Sequence, residues 1–269
     1  LAGDGGDEIF GGNEWYRKNL ILGWYQHAPR AFRDLTAALL RGLYGLDDYR
    51  LNRVRNFVRR GSLPNPERFY IGDSFASEYF ETLLTGDFRA LVRQEESLEV
   101  VRQAYSQAAS SSELHRLMYL DLKRTIVDSD IVKVGRASRM AGITVAYPYL
   151  DVSLVDYAGR LPASQKLKGL QKRYLFKKAM RDILPRKIRR KKKQGFDLPM
   201  AIWLRTVPAF QEQLRDTLLS ESTSVRGYFN QAAISGLMDR HQKGTWDYSV
   251  ELFRLLMLEL WHQNYVGQG

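Results

Sequence analysis

Ten residues near the start of the chain, Gly3-Asp4-Gly5-Gly6-Asp7-Glu8-Ile9-Phe10-Gly11-Gly12, set two aspartates three positions apart in a stretch that is half glycine. Glycines lack a Cβ, so the backbone can approach an anion closely and take unusual dihedrals; hard carboxylate oxygens suit Mg2+, which takes one or two of them together with phosphate oxygens. The chemistry to expect from this pattern is metal and polyphosphate binding. Leu1-Ala2 ahead of it reads as the last step of an apolar strand running into the loop, and strand ends are where open α/β sheets bind ligands. A plainer reading of the same residues stays open: a glycine turn capping a helix, with Asp7 as N-cap and Glu8 in the first turn. An EF-hand is excluded, because its alternating acidic spacing and terminal glutamate are absent.

A second chemical feature is the segment Pro185 to Gln194, with seven basic residues in ten. Such a run is by itself a solvated face or a nucleic-acid patch. Its continuation into Gln194-Gly195-Phe196 adds a glycine-hinged apolar ending that a generic basic run does not require. The formal charge of +11 over 269 residues makes the whole surface attractive to anions without choosing among nucleotides, nucleic acid and acidic membranes. There is no cysteine, which removes disulfides, thiolate metal sites and a cysteine nucleophile together. The four histidines, at 27, 115, 241 and 262, are scattered and form no His-Glu-x-x-His pair, which argues against zinc.

The elements that must position these residues read as mostly helical. From Asn13 to about Leu43, Trp15, Leu20, Ile21, Trp24, Tyr25, Phe32, Leu35, Leu39 and Leu40 recur at helical spacing, interrupted near Pro29. Ser62-Leu63-Pro64-Asn65-Pro66 is a break, since proline lacks a donor and restrains its predecessor. A further break falls at Ser110 to Ser112. Beyond it Leu114, Leu117, Met118, Leu120, Leu122 and Ile126 form an apolar face that Ser112 can cap, and a separate short helix is expected from about Ser129 to Ala141. Thr144 to Asp151 is extended by composition, and the tail from about Asp247 to Tyr265 is helical. Hydrophobic content of 44% is enough for a sizeable core. No run of about eighteen apolar residues or secretion signal is present, so the expectation is a cytoplasmic chain without a membrane partner. No internal repeat or interdomain linker is evident.

Further blocks accompany the glycine loop in a fixed order. Leu122-Lys123 is followed by Ile131-Val132-Lys133-Val134 and Arg136-Ala137-Ser138, then by Tyr147-Pro148-Tyr149-Leu150-Asp151. Leu161-Pro162 with Lys166-Leu167, the segment Lys172 to Leu184-Pro185, and Lys191 to Pro199 before Trp203-Leu204 come next, and His241 with Gly244 precedes a leucine-rich terminal helix. In this order, and over nearly the whole chain, the blocks resemble the asparagine synthase family. The closest resemblance is to asparagine-synthase-like proteins encoded beside bacterial exopolysaccharide or capsule genes.

That resemblance implies a mostly α-helical fragment of an α/β adenine-nucleotide α-hydrolase-like synthetase domain, with most of the parallel sheet upstream of residue 1. Residues 1–269 would be its C-terminal portion, 1–12 as the Mg2+ and pyrophosphate loop and 13–269 mainly helical. The family's Ser-Gly-Gly-x-Asp-Ser loop and its N-terminal glutaminase domain are not in these residues. The implied activity is ATP-dependent: a carboxylate attacks the α-phosphorus of ATP to give an acyl-adenylate and pyrophosphate, and ammonia, derived from glutamine in the intact protein, then forms the amide. Asp7 matches the family's Mg2+ ligand, Asp4 would take a proton from the attacking nitrogen, and Lys193 would steady charge at the α-phosphate. Gly3, Gly5, Gly6 and Lys172 would face the nucleotide phosphates, so ATP and Mg2+ are the implied cofactors. The implied acceptor is aspartate or an analogue; Gly135, Thr144 and Ala146 stand where many asparagine-forming members carry Asp, Glu and Arg, which puts aspartate itself in doubt. Three alternatives remain: a different acceptor, a non-enzymatic nucleic-acid module on the basic segment, and a catalytically silent scaffold. A homodimer is left open.

Overall fold

The computed structural model describes residues 1–43, 48–73, 75–191 and 198–266, so Lys193 and its neighbours from 192 to 197 lie outside the described residues. The chain is mostly helical, and no strand occurs among the described residues. It divides into two compact units, Leu1–Ala28 with Gly61–Arg68 and Leu98–Gln194, and Pro29–Arg60 with Phe69–Ser97 and Gly195–Gly269.

The first unit opens with the short helix Gly6–Phe10, entered through Gly5 at φ 86° and ended by Gly11 at φ 70°. Both are left-handed conformations that glycine adopts without a Cβ clash, which is why the helix is only five residues long. Asn13 then caps the helix Glu14–Gln26, its side chain accepting from the Trp15 N–H at 3.1 Å. The core of this unit gathers Ile9, Tyr16, Leu22, Leu117, Leu120, Ile126 and Ala158, all buried. Burial of each large apolar side chain contributes about 1.5–3 kcal/mol. Arg68 is fully buried beneath the proline break, donating from Nε to Leu63 O at 3.0 Å and from Nη1 to Asn19 Oδ1 at 3.0 Å, with a further bond to Gln26 Oε1. It fixes the break segment on the helix Glu14–Gln26.

Ser112 caps the next helix, accepting from the His115 N–H at 3.4 Å as its position predicts. The separate helix expected from Ser129 is not separate. Glu113–Asp121 runs through a stretch of wide, π-type turns, Leu122–Asp130, directly into Ile131–Met140. The Ile131 N–H bonds to the carbonyl of Ile126, five residues back, so the apparent break at Ser129-Asp130 is absorbed by loosened turns within one continuous rod. The strand expected at Leu1 to Asp4 and the extended run at 144–151 also need correction. Ala2 N–H donates to Ala146 O at 2.9 Å, and that one bond is all the pairing the two segments show. Pro148–Leu150 is a 3-10 turn, and Asp151 behind it caps the helix Val152–Arg160 by accepting from the Leu154 N–H at 3.2 Å.

The second unit is organised by one apolar cluster, Leu83, Leu204, Leu214, Leu218, Ile234, Leu237, Met238, Tyr248, Leu252, Leu255 and Leu256. Helices Met200–Thr206, Pro208–Leu218, Gln231–Lys243 and Ser249–Trp261 supply most of it. The terminal helix falls where the leucine spacing predicts and continues in wide turns over His262–Val266.

Candidate functional site

The short helix Gly6–Phe10 carries Asp7, and three sequence blocks converge to hold it. It packs against Glu113–Asp121, the Pro148–Leu150 turn, Val152–Arg160 and the helix Tyr174–Ala179. Phe10, Tyr149 and Phe176 form the staple: ring centroids lie 5.1 Å apart for Phe10 and Phe176, 6.3 Å for Phe10 and Tyr149, and 6.0 Å for Tyr149 and Phe176. Tilted and edge-on aromatic pairs at these distances add about 0.5–1.5 kcal/mol each beyond their burial. The glycines make the approach possible. A Cβ on Gly5 would meet Leu150 Cδ2 at 2.2 Å, and one on Gly6 would lie 3.1 Å from the Tyr149 ring. A Cβ on Gly3 would meet nothing within 4 Å, so the space on that side of the residue is open.

Ile9 and Glu8 turn inward, and Tyr16 lies buried behind them. Burial, then the charges of Asp121, Glu8 and Asp7, pushes the Tyr16 hydroxyl well above its ordinary pKa, so it stays protonated. On the outer side the Asp7 side chain is about one-fifth exposed and Asp4 sits partly exposed in the turn before the helix. Asp7 Oδ1 is 3.6 Å from Nη1 of Arg173. Gly12 closes this corner: its N–H donates to Asp7 O at 2.7 Å, and a Cβ there would lie 1.8 Å from Asp7 Oδ1 and 2.8 Å from Arg173 Cδ.

Lys172 has a different partner. Its Nζ is 2.5 Å from Glu14 Oε2, with Arg17 on the other oxygen of the same carboxylate. Burial pushes the Glu14 carboxyl up, but the hydrogen bond and charge of Lys172, with Arg17, hold it below the ordinary value overall. Lys172 thus stands beside the glycine loop as part of an ion pair, while its neighbour Arg173 faces Asp7. Sequence reasoning missed Arg173. Its backbone is left-handed at φ 53°, the one non-glycine residue so placed among those described, at a cost of about 1–2 kcal/mol. The turn is held by the Arg173 N–H donating to Gly11 O at 3.2 Å.

Lys166, at the end of the helix Ala163–Lys166, lies against Gly11, whose added Cβ would be 3.2 Å from Lys166 Cβ. It is buried, and burial lowers its pKa to about 8. His115 is also pushed down, by burial and then by the charge of Lys166.

Gly3, Asp4, Gly5, Gly6 and Asp7 thus share one loop and its helix, Arg173 faces Asp7, and the Lys172 ammonium is instead paired with Glu14. Among the described residues no three His, Asp or Glu side chains gather into a complete metal cage. One carboxylate, with a second two residues ahead of the helix turn and open space at Gly3, fits a divalent cation that draws its remaining ligands from phosphate and water. Loop, staple and cations define a helical protein that presents the Asp7 carboxylate beside Arg173, with the Lys172–Glu14 ion pair nearby.

The Asparagine synthase family model matches residues 1–263, and the chain belongs to that family. It is 28% identical over 272 residues to proteins provisionally named asparagine synthetase (glutamine-hydrolysing) in Mycobacterium tuberculosis and Mycobacterium bovis, covering 99% of this chain and 39% of theirs. It is 24% identical over 267 residues to asparagine synthetase (glutamine-hydrolysing) 1 of Bacillus subtilis, covering 97% of this chain and 40% of that protein. The chain thus spans about two fifths of the length of these curated relatives. No solved structure matches it.

Proposed function

We propose that this chain is part of an ATP-dependent amide-forming ligase, its two units belonging to a synthetase domain of the adenine-nucleotide α-hydrolase type. The observation that carries the reading is the convergence of three separated blocks, the glycine loop, the Tyr147–Asp151 element and the Lys172–Phe176 segment, on Asp7. Family membership supplies the reaction class.

In the proposed reaction a carboxylate oxygen attacks the α-phosphorus of ATP, the bond to the β-phosphoryl oxygen breaks, and pyrophosphate leaves. Ammonia then attacks the acyl carbon of the acyl-adenylate, AMP leaves with the bonding electrons, and the nitrogen loses a proton. Asp7 would hold Mg2+, which when bound neutralises charge on the polyphosphate. Asp4, partly exposed at the mouth of the loop, is the proposed proton acceptor. Gly3 would let the backbone approach the phosphates. Gly5 and Gly6, occupied on one side by Leu150 and Tyr149, hold the loop in place for that approach. Lys193 is the proposed cation at the α-phosphate. Lys172, bound to Glu14, sets the position of the turn that follows and adds positive charge beside it.

The nitrogen donor would be glutamine, in keeping with relatives named glutamine-hydrolysing, and the acceptor aspartate or a related acid. The experiment is acceptor-dependent pyrophosphate release by the full-length protein, which Asp7→Asn should abolish. Release that survives Asp7→Asn would remove the loop from the chemistry.

A further inference from the structure

Arg173 carries features that the fold alone does not explain. It accepts a left-handed backbone, φ 53°, that a glycine would take without strain. Its Nε is buried without a hydrogen-bond partner. Its Nη1 lies 3.6 Å from Asp7 Oδ1, close enough for charge attraction and too far for a hydrogen bond. A planar guanidinium with a buried donor unused, at the edge of a carboxylate, is arranged for a further planar or tetrahedral oxyanion. The charge around it points the same way. Lys172 is matched by Glu14, and Lys177 on the next turn is pushed down by burial and then by the charges of Arg173 and Lys172, so these three cations lie close enough to repel one another.

We propose that Arg173 is the polyphosphate clamp of this site, exchanging Asp7 for phosphate oxygens when a magnesium polyphosphate binds. The inference rests on the reading of Asp7 as the metal-holding carboxylate. Without ligand, Arg173 faces Asp7 and competes with a cation for its oxygen. With pyrophosphate present, the guanidinium turns its donors to the phosphate and leaves the carboxylate to the metal. The two ligands therefore bind with positive coupling through a single side chain. Gly12 makes the exchange possible, because any Cβ there would occupy the space between Asp7 Oδ1 and Arg173 Cδ.

The test uses titration calorimetry on the full-length protein with two probes, Mg2+ alone and magnesium pyrophosphate. Arg173→Gly removes the side chain at a backbone position that glycine accepts, so its melting temperature should be no lower than that of the parent. Its affinity for magnesium pyrophosphate should fall by about tenfold or more, the loss of a charge-assisted contact. Its affinity for Mg2+ alone should stay equal or rise, since a competitor has been removed. Arg173→Lys should recover part of the pyrophosphate affinity. The clamp is overturned if Arg173→Gly binds magnesium pyrophosphate as the parent does while Asp7→Asn weakens it, or if both probes weaken together. Absence of magnesium pyrophosphate binding in the parent itself would overturn the underlying reading of the loop as well.

Discussion

Single atoms decide the geometry around Asp7. Gly11 and Gly12 end the helix and leave the gap that Asp7 and Arg173 share, so the second glycine pair of the motif is explained by close approach as much as by chain reversal. The close approaches around the glycines were legible in the sequence, because a run that is half glycine marks backbone that packs without a Cβ. Arg173 was not, because left-handed backbone is written in sequence only when glycine or asparagine adopts it, and a neighbouring lysine drew the phosphate role. Lys166 gives a prediction at this scale. Its pKa of about 8 lies below the ordinary 10.5, so the folded chain holds fewer protons than the unfolded one between those values. The penalty of a buried ammonium is then fully present below about pH 8 and relieved as pH rises toward about 10.5, a difference of about 3 kcal/mol. Lys166→Met should melt several degrees higher than the parent at pH 7, and the gap should narrow by pH 10. A gap that does not change with pH would mean the ammonium is not buried as described.

Helices were read well from periodicity and punctuation. Pro29 separates two helices, Ser112 caps the helix it precedes, and the leucines after Asp247 form the terminal helix. The strand at the start was not realised, because two short extended segments joined by one hydrogen bond lack the further neighbours a stable sheet needs. The rod from Glu113 to Met140 was read as two helices because polar Asp128-Ser129-Asp130 resembles a cap, whereas packing of Ile126 and Leu120 keeps the chain turning. Helical spacing also overstated burial: Leu35 and Leu39 of Arg30–Gly42 are 58% and 62% exposed. At this scale the terminal helix is anchored by Glu259, which is 4% exposed and accepts from Arg226 Nε at 3.0 Å, with a second bond from Nη2. Removing one partner strands a buried charge, so Arg226→Ala should lower unfolding stability by about 3–5 kcal/mol in urea titrations. A loss under about 1 kcal/mol would show that water reaches Glu259.

Over the whole molecule, the charge of +11 and the run from Pro185 to Gln194 admit two destinations, a phosphorylated small molecule or a nucleic acid. Arg186–Arg190 forms a short helix with Ile188 exposed among its basic side chains. If this face served nucleic acid, neutralising Lys187, Arg189 and Arg190 would remove a salt-dependent affinity for duplex or single strands. The ligase account predicts no specific duplex affinity at moderate salt, which fluorescence anisotropy would read; tight binding lost in that variant would favour the other destination. Family membership was legible because the blocks keep their order along almost the full chain, while the acceptor was not, since Gly135, Thr144 and Ala146 remove the charges that would have named it. The most direct measurement is pyrophosphate release by the full-length protein with ATP, Mg2+ and aspartate or related acids, comparing the parent with Asp7→Asn and Lys193→Ala. The account predicts acid-dependent release that each substitution lowers by at least about a hundredfold; no release with any acid, or release that ignores both substitutions, would contradict it.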